Sequence, residues 1–210
     1  MNINVSIDSK DLNKAALWLA TINGQMPYAT SRALNDAAKE AVKDLNASTS
    51  TYFDRPTKFT QRGYAVTGYS NKNNLTATLN LRPIQASYLV PSVKGGIRPQ
   101  RPSERKLQGV AAWRPGLGAS LNSSGNISKA QAVRALKGGP SLFRVDGAKG
   151  KLKPGIYQRM AKGKIKNILS FNALPNIQRR WPIDRISSAS IERHLPARLN
   201  HWIEQAIKPK

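Results

Sequence analysis

The sequence predicts an α+β fold: a small antiparallel sheet with N-terminal and C-terminal helices packed on one face, plus a long basic arm rich in Gly and Pro. Apolar residues recur at helical spacing near both chain ends, over 8–46 and 188–207. Between them, short stretches alternate apolar and polar residues, which is typical of half-buried strands. This pattern is lost over 94–140. We therefore predict that 1–93 and 141–210 together form one α+β domain, and that 94–140 is an extended basic arm or insertion loop.

The N-terminal part predicts one strand followed by two helices. Met1–Ile7 alternates apolar and polar residues, as a half-buried strand does. Asp8–Asn46 predicts two helices separated at Gly24–Pro27, because Pro27 suits the first turn of a new helix. An alanine-rich stripe lines the second helix and predicts close packing on a sheet or another helix, with a subunit contact as the alternative. The stripe comprises Ala33, Leu34, Ala37, Ala38, Ala41, Val42 and Leu45.

A connector and a hairpin are predicted after these helices. The connector, Ala47–Arg62, is rich in Ser and Thr, and its core, Tyr52–Thr60, mixes aromatic and basic residues, which either cover a hydrophobic edge or stack on nucleic-acid bases. Covering an edge is the favoured interpretation, because aromatic residues more often serve burial. The stretches 62–70 and 74–82 predict two strands joined across the turn Asn71–Asn74. We expect a further strand over Gln85–Val90.

The C-terminal half predicts more strands and a final helix. A short helix is expected within the arm, over Ser128–Leu136. The alternation of the last strand slips at Ile168–Leu169, which indicates a β-bulge. Pro196 should kink or restart the final helix, because proline removes an interior helix hydrogen bond. The predicted strands are 141–145, 155–160 and 164–171.

Composition limits the class of protein. The 210 residues include no cysteine, which excludes disulfides and thiolate metal sites, and we expect a soluble protein made in a reducing compartment. No apolar run approaches the ~20 residues that span a bilayer, so we expect no membrane partner. The net charge is +23 and is unevenly placed, since 94–180 carries 19 Lys and Arg against only Glu104 and Asp146. Such a segment predicts an anionic partner, either phosphates or acidic protein surfaces.

No catalytic constellation is visible in the sequence. His194 and His201 are seven residues apart, so on one helix they lie about 10 Å from each other and cannot share a metal ion. The 11 acidic residues are scattered singly, whereas a two-metal nuclease needs clustered carboxylates. The glycines around Gly116 fit neither a dinucleotide loop nor a phosphate-binding loop. We therefore expect no catalytic residue, no metal and no cofactor, and a protein that is not an enzyme.

Eight basic residues are the candidate contacts to a partner. Five of them lie where prolines are densest, so that neither a helix nor a central strand is expected there. We interpret these basic residues as bridges to DNA phosphates or to carboxylates of a neighbouring subunit. The alternative is that they belong to a solvated loop. The predicted contact residues are Arg98, Arg101, Arg105, Lys106, Arg114, Lys149, Lys151 and Lys153.

Several short stretches point to a known family. They are Met26–Ala29 leading into Ala33–Asn35, Pro154–Arg159 (Pro-Gly-Ile-Tyr-Gln-Arg), Ile165–Phe171, Trp181–Asp184 (Trp-Pro-Ile-Asp) and the helix around Leu195-Pro196. With these motifs the chain resembles the minor tail protein Z family of tailed bacteriophages and, more loosely, the tail-completion proteins of the phage neck.

The resemblance implies a structural virion protein. It implies an α+β subunit that assembles as a homo-oligomeric ring at the head–tail junction, beside neighbouring tail, connector or portal proteins, and it implies no catalytic residues. Such a protein would be assembled in the bacterial host cytoplasm and reside in the virion, in the phage tail or neck. In a tail lumen, its basic segment could touch genomic DNA without reading sequence. The alternative function is a sequence-independent nucleic-acid-binding protein.

Overall fold

A computed structural model describes residues 25–207, and the α+β class is confirmed. The chain divides into two compact units. Unit 1 takes the chain up to Leu89 and again from Arg180 onward, and unit 2 comprises Val90–Arg179. The strand predicted over Met1–Ile7 and the first predicted helix lie outside the described residues.

The first helix of unit 1, α1, spans Met26–Tyr52 and extends past the predicted end at Asn46. Its alanine-rich stripe is buried, and the half-buried Val42 flanks it. The Ser/Thr-rich end stays helical because its hydroxyls bond back to the helix: Ser48 Oγ donates to the Leu45 carbonyl and Thr49 Oγ1 to the Asn46 carbonyl, each at 2.7 Å. Such bonds satisfy groups that would otherwise compete with the helix.

The second long helix of unit 1, α5, spans Ile183–Ile207 and runs antiparallel to α1. Polar residues of α1 at every fourth position, and so on one face, each accept a hydrogen bond from the C-terminal segment. The helix continues through Pro196 as one element, so the restart, one of the two predicted alternatives, does not occur. Pro196 is exposed, so water can reach the carbonyl that lacks a donor. The four bonds are Trp202 Nε1 to Asp36 at 2.8 Å, Arg198 Nη2 to Glu40 at 3.1 Å, Ser190 Oγ to Asp44 at 2.6 Å and Trp181 Nε1 to Ser48 at 2.9 Å.

The predicted hairpin of unit 1 is confirmed. Strands β1 (Tyr64–Gly68) and β2 (Thr78–Leu81) pair antiparallel, with Tyr64 opposite Leu81. Two asparagines of α1 bind backbone groups of the hairpin's first strand or of the residues just after it. Each uses both the oxygen and the nitrogen of its side-chain amide. Asn46 accepts from Tyr64 N at 2.9 Å and donates to its carbonyl at 3.2 Å, and Asn35 does the same with Ser70 at 2.7 and 2.9 Å. These side chains therefore satisfy backbone N–H and C=O groups that a neighbouring strand would otherwise pair with.

The strand predicted over Gln85–Val90 is wrong, because the segment is helical. Helix α2 spans Pro83–Lys94 and starts at proline, whose fixed φ suits a first turn. Gln85, Leu89 and Val93 are buried at four-residue spacing, which is the helical period.

Unit 2 contains a four-stranded antiparallel sheet in the order β4-β7-β6-β5. A short helix, α3, and a helix that begins one residue after the predicted Ser128, α4, complete the unit together with the two-stranded pair β3–β8. The bounds are β3 Gly96–Ile97, α3 Pro102–Arg105, β4 Ala112–Pro115, α4 Lys129–Lys137, β5 Leu142–Val145, β6 Gly155–Arg159, β7 Ile165–Asn172 and β8 Asn176–Ile177.

The structure divides the chain differently from the sequence-based division at 94 and 140. Strand β4 lies inside the predicted arm, yet it pairs with β7 along its whole length. Helix α4 comes from the same stretch, and its Ala135 packs in one core with Ile156 and Leu169. These residues belong to a folded unit rather than to an extended arm. The sequence did not show this because β4 is only four residues long and its partner lies more than 50 residues away.

The predicted β-bulge is confirmed at its predicted place. Ile156 pairs with Leu169, but the next residue of β6, Tyr157, pairs with Asn167. Ile168 is therefore the extra residue of β7, and both Ile168 and Leu169 are buried. The bulge explains why two consecutive apolar residues occur in a strand that otherwise alternates.

Trp181 should be the largest single contributor to unit 1. It is fully buried, and its ring meets Phe53 and Tyr64 edge-on at 5.2 and 5.5 Å between centroids. We expect Trp181→Ala to lower the free energy of unfolding by about 3–5 kcal/mol, through lost burial and the cavity left behind. Urea unfolding followed by far-UV circular dichroism measures this. Trp181→Phe keeps most of the volume and should cost clearly less; equal losses for the two variants would contradict the packing argument.

Candidate partner-binding surface

The structure removes Arg98 from the predicted partner contacts. Its side chain is only 9% exposed, and its two terminal nitrogens donate to the two carboxylate oxygens of Glu104 at 2.8 and 3.0 Å. Arg98 Nη1 also donates to the Pro99 carbonyl at 2.8 Å. The prediction failed because the prolines around Arg98 leave no periodic pattern that would place Glu104, six residues later, beside it. A buried, bidentate ion pair makes Arg98 part of the framework.

Glu104 is the acceptor that organises this region. Besides Arg98, it accepts from the backbone N–H of Arg101 at 2.6 Å and of Trp113 at 3.3 Å. Burial favours the neutral acid and raises the pKa of Glu104, but the hydrogen bonds from Arg98 and from these two N–H groups outweigh it. The pKa of the carboxyl therefore lies below its ordinary value, and Glu104 is charged at neutral pH.

Of two further predicted residues, Arg101 lies beside the Glu104 cluster and Arg114 lies on the sheet. The Arg101 guanidinium lies over the Trp113 ring, 5.8 Å from its centroid. Arg114 is exposed on β4, opposite Ser170 of β7, and on the opposite sheet face from Trp113. Arg101 directly precedes α3, whereas Arg105 is the last residue of that helix and Lys149, Lys151 and Lys153 lie between β5 and β6.

The remaining five predicted residues are exposed and lie at one end of the four-stranded sheet, which we call the basic end. Arg105 and Lys106 lie shortly before β4, whose first residue, Ala112, pairs with the last residue of β7, Asn172. The turn after β5 leaves the sheet at this same end, since Val145, Gly155 and Ser170 pair in one row. The basic end comprises Arg105, Lys106, Lys149, Lys151 and Lys153.

Sequence reasoning missed Arg144, which fixes the basic end. Its guanidinium lies over the Phe171 ring at 5.4 Å, and it donates to the Asp146 carboxylate and to the Gln108 carbonyl. The bonds tie the stretch before β4 to the turn after β5. A cavity of about 750 Å³ opens here, lined among others by Gln108, Arg144, Asp146 and Phe171. The only sequence signal was an Arg and an Asp two residues apart at the end of a strand.

The charge at the basic end is uncompensated within unit 2. Glu104 and Asp146 are the only acidic residues between 90 and 179. Both are already paired with arginines, Glu104 with Arg98 and Asp146 with Arg144. No carboxylate of unit 2 is therefore left to neutralise the five exposed cations. An anionic surface outside the unit is the partner that this arrangement fits.

The two histidines belong to the helices of unit 1. His194 Nε2 lies 3.8 Å from Asp44 Oδ2, and the His201 ring meets Trp202 edge-on. Across residues 25–207, no group of three His, Asp or Glu side chains is close enough to hold a metal ion.

Comparison with known proteins gives no match, so a function can be assigned only from the residues of this chain. The chain matches no family model, no curated protein and no solved structure. None of the helices described over 25–207 has the length and apolarity needed to cross a membrane.

The two acidic residues of unit 2 make a matched pair for a test of burial. We expect Glu104→Gln to destabilise the unit by about 3–5 kcal/mol, because it leaves Arg98 buried without a counter-charge. Asp146→Asn removes the same charge from a more exposed pair and should cost under about 1 kcal/mol. Urea unfolding at pH 7 measures both values.

The pH dependence of the Glu104→Gln effect follows from the lowered pKa. A carboxyl with a lowered folded-state pKa stabilises the fold above its ordinary value of 4.5, and this stability is lost as the pH falls through the folded-state value. The difference in unfolding free energy between the wild type and Glu104→Gln should therefore shrink below about pH 4.5. A difference that is constant from pH 7 to pH 3 would contradict the assignment of a charged Glu104.

Proposed function

We propose that the protein is a structural virion component of a tailed bacteriophage: a minor tail or tail-completion subunit that forms a homo-oligomeric ring at the head–tail junction. The observation that carries this proposal is the basic end of unit 2, which presents five uncompensated cations on a fixed scaffold. A ring around a DNA channel, or against acidic neighbouring subunits, supplies the negative charge that unit 2 lacks.

The stretches that resemble the phage family support the proposal by their positions in the fold. Pro154–Arg159 contains the central strand β6, and Ile156 and Tyr157 are buried in it. Trp181–Asp184 leads into α5 and holds the fully buried Trp181. The resembling residues therefore form framework, as expected for a family defined by assembly and not by catalysis.

The basic end is built to keep its lysines in place. Lys149 and Leu152 exchange backbone hydrogen bonds at 3.0 and 3.1 Å, which closes the turn between β5 and β6. The buried Tyr157 donates its hydroxyl to the Lys153 carbonyl at 2.9 Å. Contacts from such lysines to duplex DNA would go to phosphates and carry no sequence information. Carboxylates of neighbouring tail, connector or portal subunits fit the same cations.

The second candidate function is a sequence-independent nucleic-acid-binding protein, and the same basic end favours it. The two functions differ in where the protein resides. A tail subunit is a fixed component of purified particles of the phage that encodes it, whereas a nucleic-acid-binding protein acting in the cell is absent from them. Mass spectrometry of purified particles therefore distinguishes the two, and absence of the chain from particles contradicts the tail proposal.

The role of the basic end is tested with a triple variant, Lys149→Ser, Lys151→Ser and Lys153→Ser. We expect a near-normal fold, since exposed substitutions cost under about 0.5 kcal/mol each. Complementation of a phage that lacks the gene should give separate heads and tails. If the partner is DNA, the slope of log affinity against log salt should fall by about 3. The matched control is Lys162→Ser, Lys164→Ser and Lys166→Ser, with the same charge change elsewhere; normal infectious yield with the first variant would contradict the role.

A further inference from the structure

The other end of the same sheet combines exposed apolar and basic side chains. Leu117 lies in the turn after β4, and its side chain is 106% exposed, which is the full extent of an isolated residue. Met160 and Ile165 are also exposed, in the turn between β6 and β7 and at the first position of β7. Three exposed lysines share this turn and strand start. We call the set the apolar tip: Leu117, Met160, Ile165, Lys162, Lys164 and Lys166.

The turn that carries Leu117 is fixed on the sheet. Gly116 N donates to the Ile168 carbonyl and Gly118 N to the Asn167 carbonyl, each at 2.8 Å, and Ala119 N closes the turn on Gly116 at 3.0 Å. Both glycines are needed for this close approach. A Cβ on Gly116 would lie 1.7 Å from Asn167 Oδ1, and one on Gly118 would lie 2.8 Å from the Lys166 Cβ. Leu117 is therefore held outward by a rigid turn, so its exposure is built into the fold.

The surroundings of the apolar tip are basic and contain no carboxylate from nearby in the chain. No acidic residue occurs between 105 and 145 or between 147 and 183. The turn between β6 and β7 is closed by Met160 N, which donates to the Lys164 carbonyl at 2.7 Å. Lys162, within this turn, adopts a positive φ of 57°. An apolar centre with a rim of lysines fits a surface that is both apolar and negatively charged.

We propose that the apolar tip docks on an anionic lipid surface, with Leu117 entering the boundary between headgroups and acyl chains and Lys162, Lys164 and Lys166 meeting lipid phosphates. Anionic lipid surfaces attract clustered lysines, and apolar side chains enter the interface beside them. Nucleic acid would reward the lysines but not a fully exposed leucine. A second copy of unit 2 would bring like charges together, which disfavours self-docking at this end.

This surface is separate from the basic end and does not rest on the proposed function. It departs from the sequence-based expectation of no membrane partner. Hydropathy detects long apolar runs, but a single leucine between two glycines leaves no such signal. Contact through a turn needs no spanning helix.

The test is co-sedimentation of the full chain with phosphatidylcholine vesicles, with and without phosphatidylglycerol. We expect binding only to the anionic vesicles. Leu117→Ser should weaken the partition about 10-fold or more, from the lost burial of one leucine. The triple variant Lys162→Ser, Lys164→Ser and Lys166→Ser should weaken it about 100-fold, since each lysine near an anionic surface contributes roughly a factor of 5.

Two controls match these changes. Lys149→Ser, Lys151→Ser and Lys153→Ser remove the same charge from the basic end and should weaken vesicle binding far less than the apolar-tip lysine variant, because they lie at the opposite end of the sheet. Ile84→Ser removes a side chain that is 68% exposed in unit 1, and it should have no effect. Circular dichroism and thermal unfolding confirm that each variant is folded.

Four outcomes overturn the proposal. They are absence of binding to anionic vesicles, full binding of Leu117→Ser, equal losses for the two lysine variants, and equal binding to vesicles without phosphatidylglycerol. Full binding of Leu117→Ser with loss in both lysine variants assigns the attraction to charge alone. Duplex DNA is the reference probe: Leu117→Ser should leave DNA binding unchanged. A failure at the apolar tip is therefore distinct from a failure of the basic end, and phage particles report only on the latter.

Discussion

The buried carboxylate of Glu104 is the interaction on which unit 2 depends. It accepts two bonds from Arg98, one from the start of α3 at Arg101, and one from β4 at Trp113. These groups lie on three successive parts of a stretch rich in Gly and Pro. Since few apolar side chains are available there, the charge-assisted bonds replace a hydrophobic core in ordering the chain. They bring residues 112–115 into register with β7, which completes the sheet.

Unit 1 relies on a different device, the close approach of two helices. Alanines on one face of α1 are buried, and polar residues on the adjacent face receive bonds from the C-terminal segment. The buried alanine side chains of α1 are single methyl groups, so the two helices can pack close together. The polar pairs then fix the register of the two helices, because each donor reaches only one acceptor. Asn46 of the same helix binds both backbone groups of Tyr64, the first residue of β1, and Asn35 binds those of Ser70, two residues after β1 ends.

What the sequence could predict follows from the range of the interactions. The hairpin β1–β2, the strands β5, β6 and β7 and the bulge at Ile168 were predicted, because each shows a local pattern of alternation or its interruption. Helix α2 was missed because its six central residues are apolar enough to pass as a strand, although Gln85, Leu89 and Val93 carry the helical period. Strand β4 and the Arg98–Glu104 pair were missed for another reason. The partner of β4 lies more than 50 residues away, and Arg98 and Glu104, although only six residues apart, lie in a stretch without a periodic pattern that would place them side by side.

The same distinction explains the candidate sites. Of the eight basic residues selected by composition, only Arg98 is buried. Arg101 is exposed and lies over an aromatic ring, Arg114 is exposed on β4, and the other five are the exposed residues of the basic end. Charge density alone cannot separate a framework arginine from a contact arginine; the separation requires a nearby carboxylate in space. Only two carboxylates exist in unit 2, and they pair with Arg98 and Arg144, which leaves the five cations of the basic end without a carboxylate partner in this unit.

Strand β7 connects the two ends of the sheet that carry these chemistries. Its last residues flank the cavity beside Arg144, and its first residues support the turn that carries Leu117. The bulge lies at that support, since the carbonyls of Asn167 and Ile168 are the acceptors for Gly118 and Gly116. A bulge leaves ladder groups unpaired and bends the strand. Here the carbonyls of Asn167 and Ile168 bind the glycine turn on the β4 side of β7, and the inserted Ile168 fills the core below it. One extra residue in β7 thus serves both the packing of unit 2 and the outward position of Leu117.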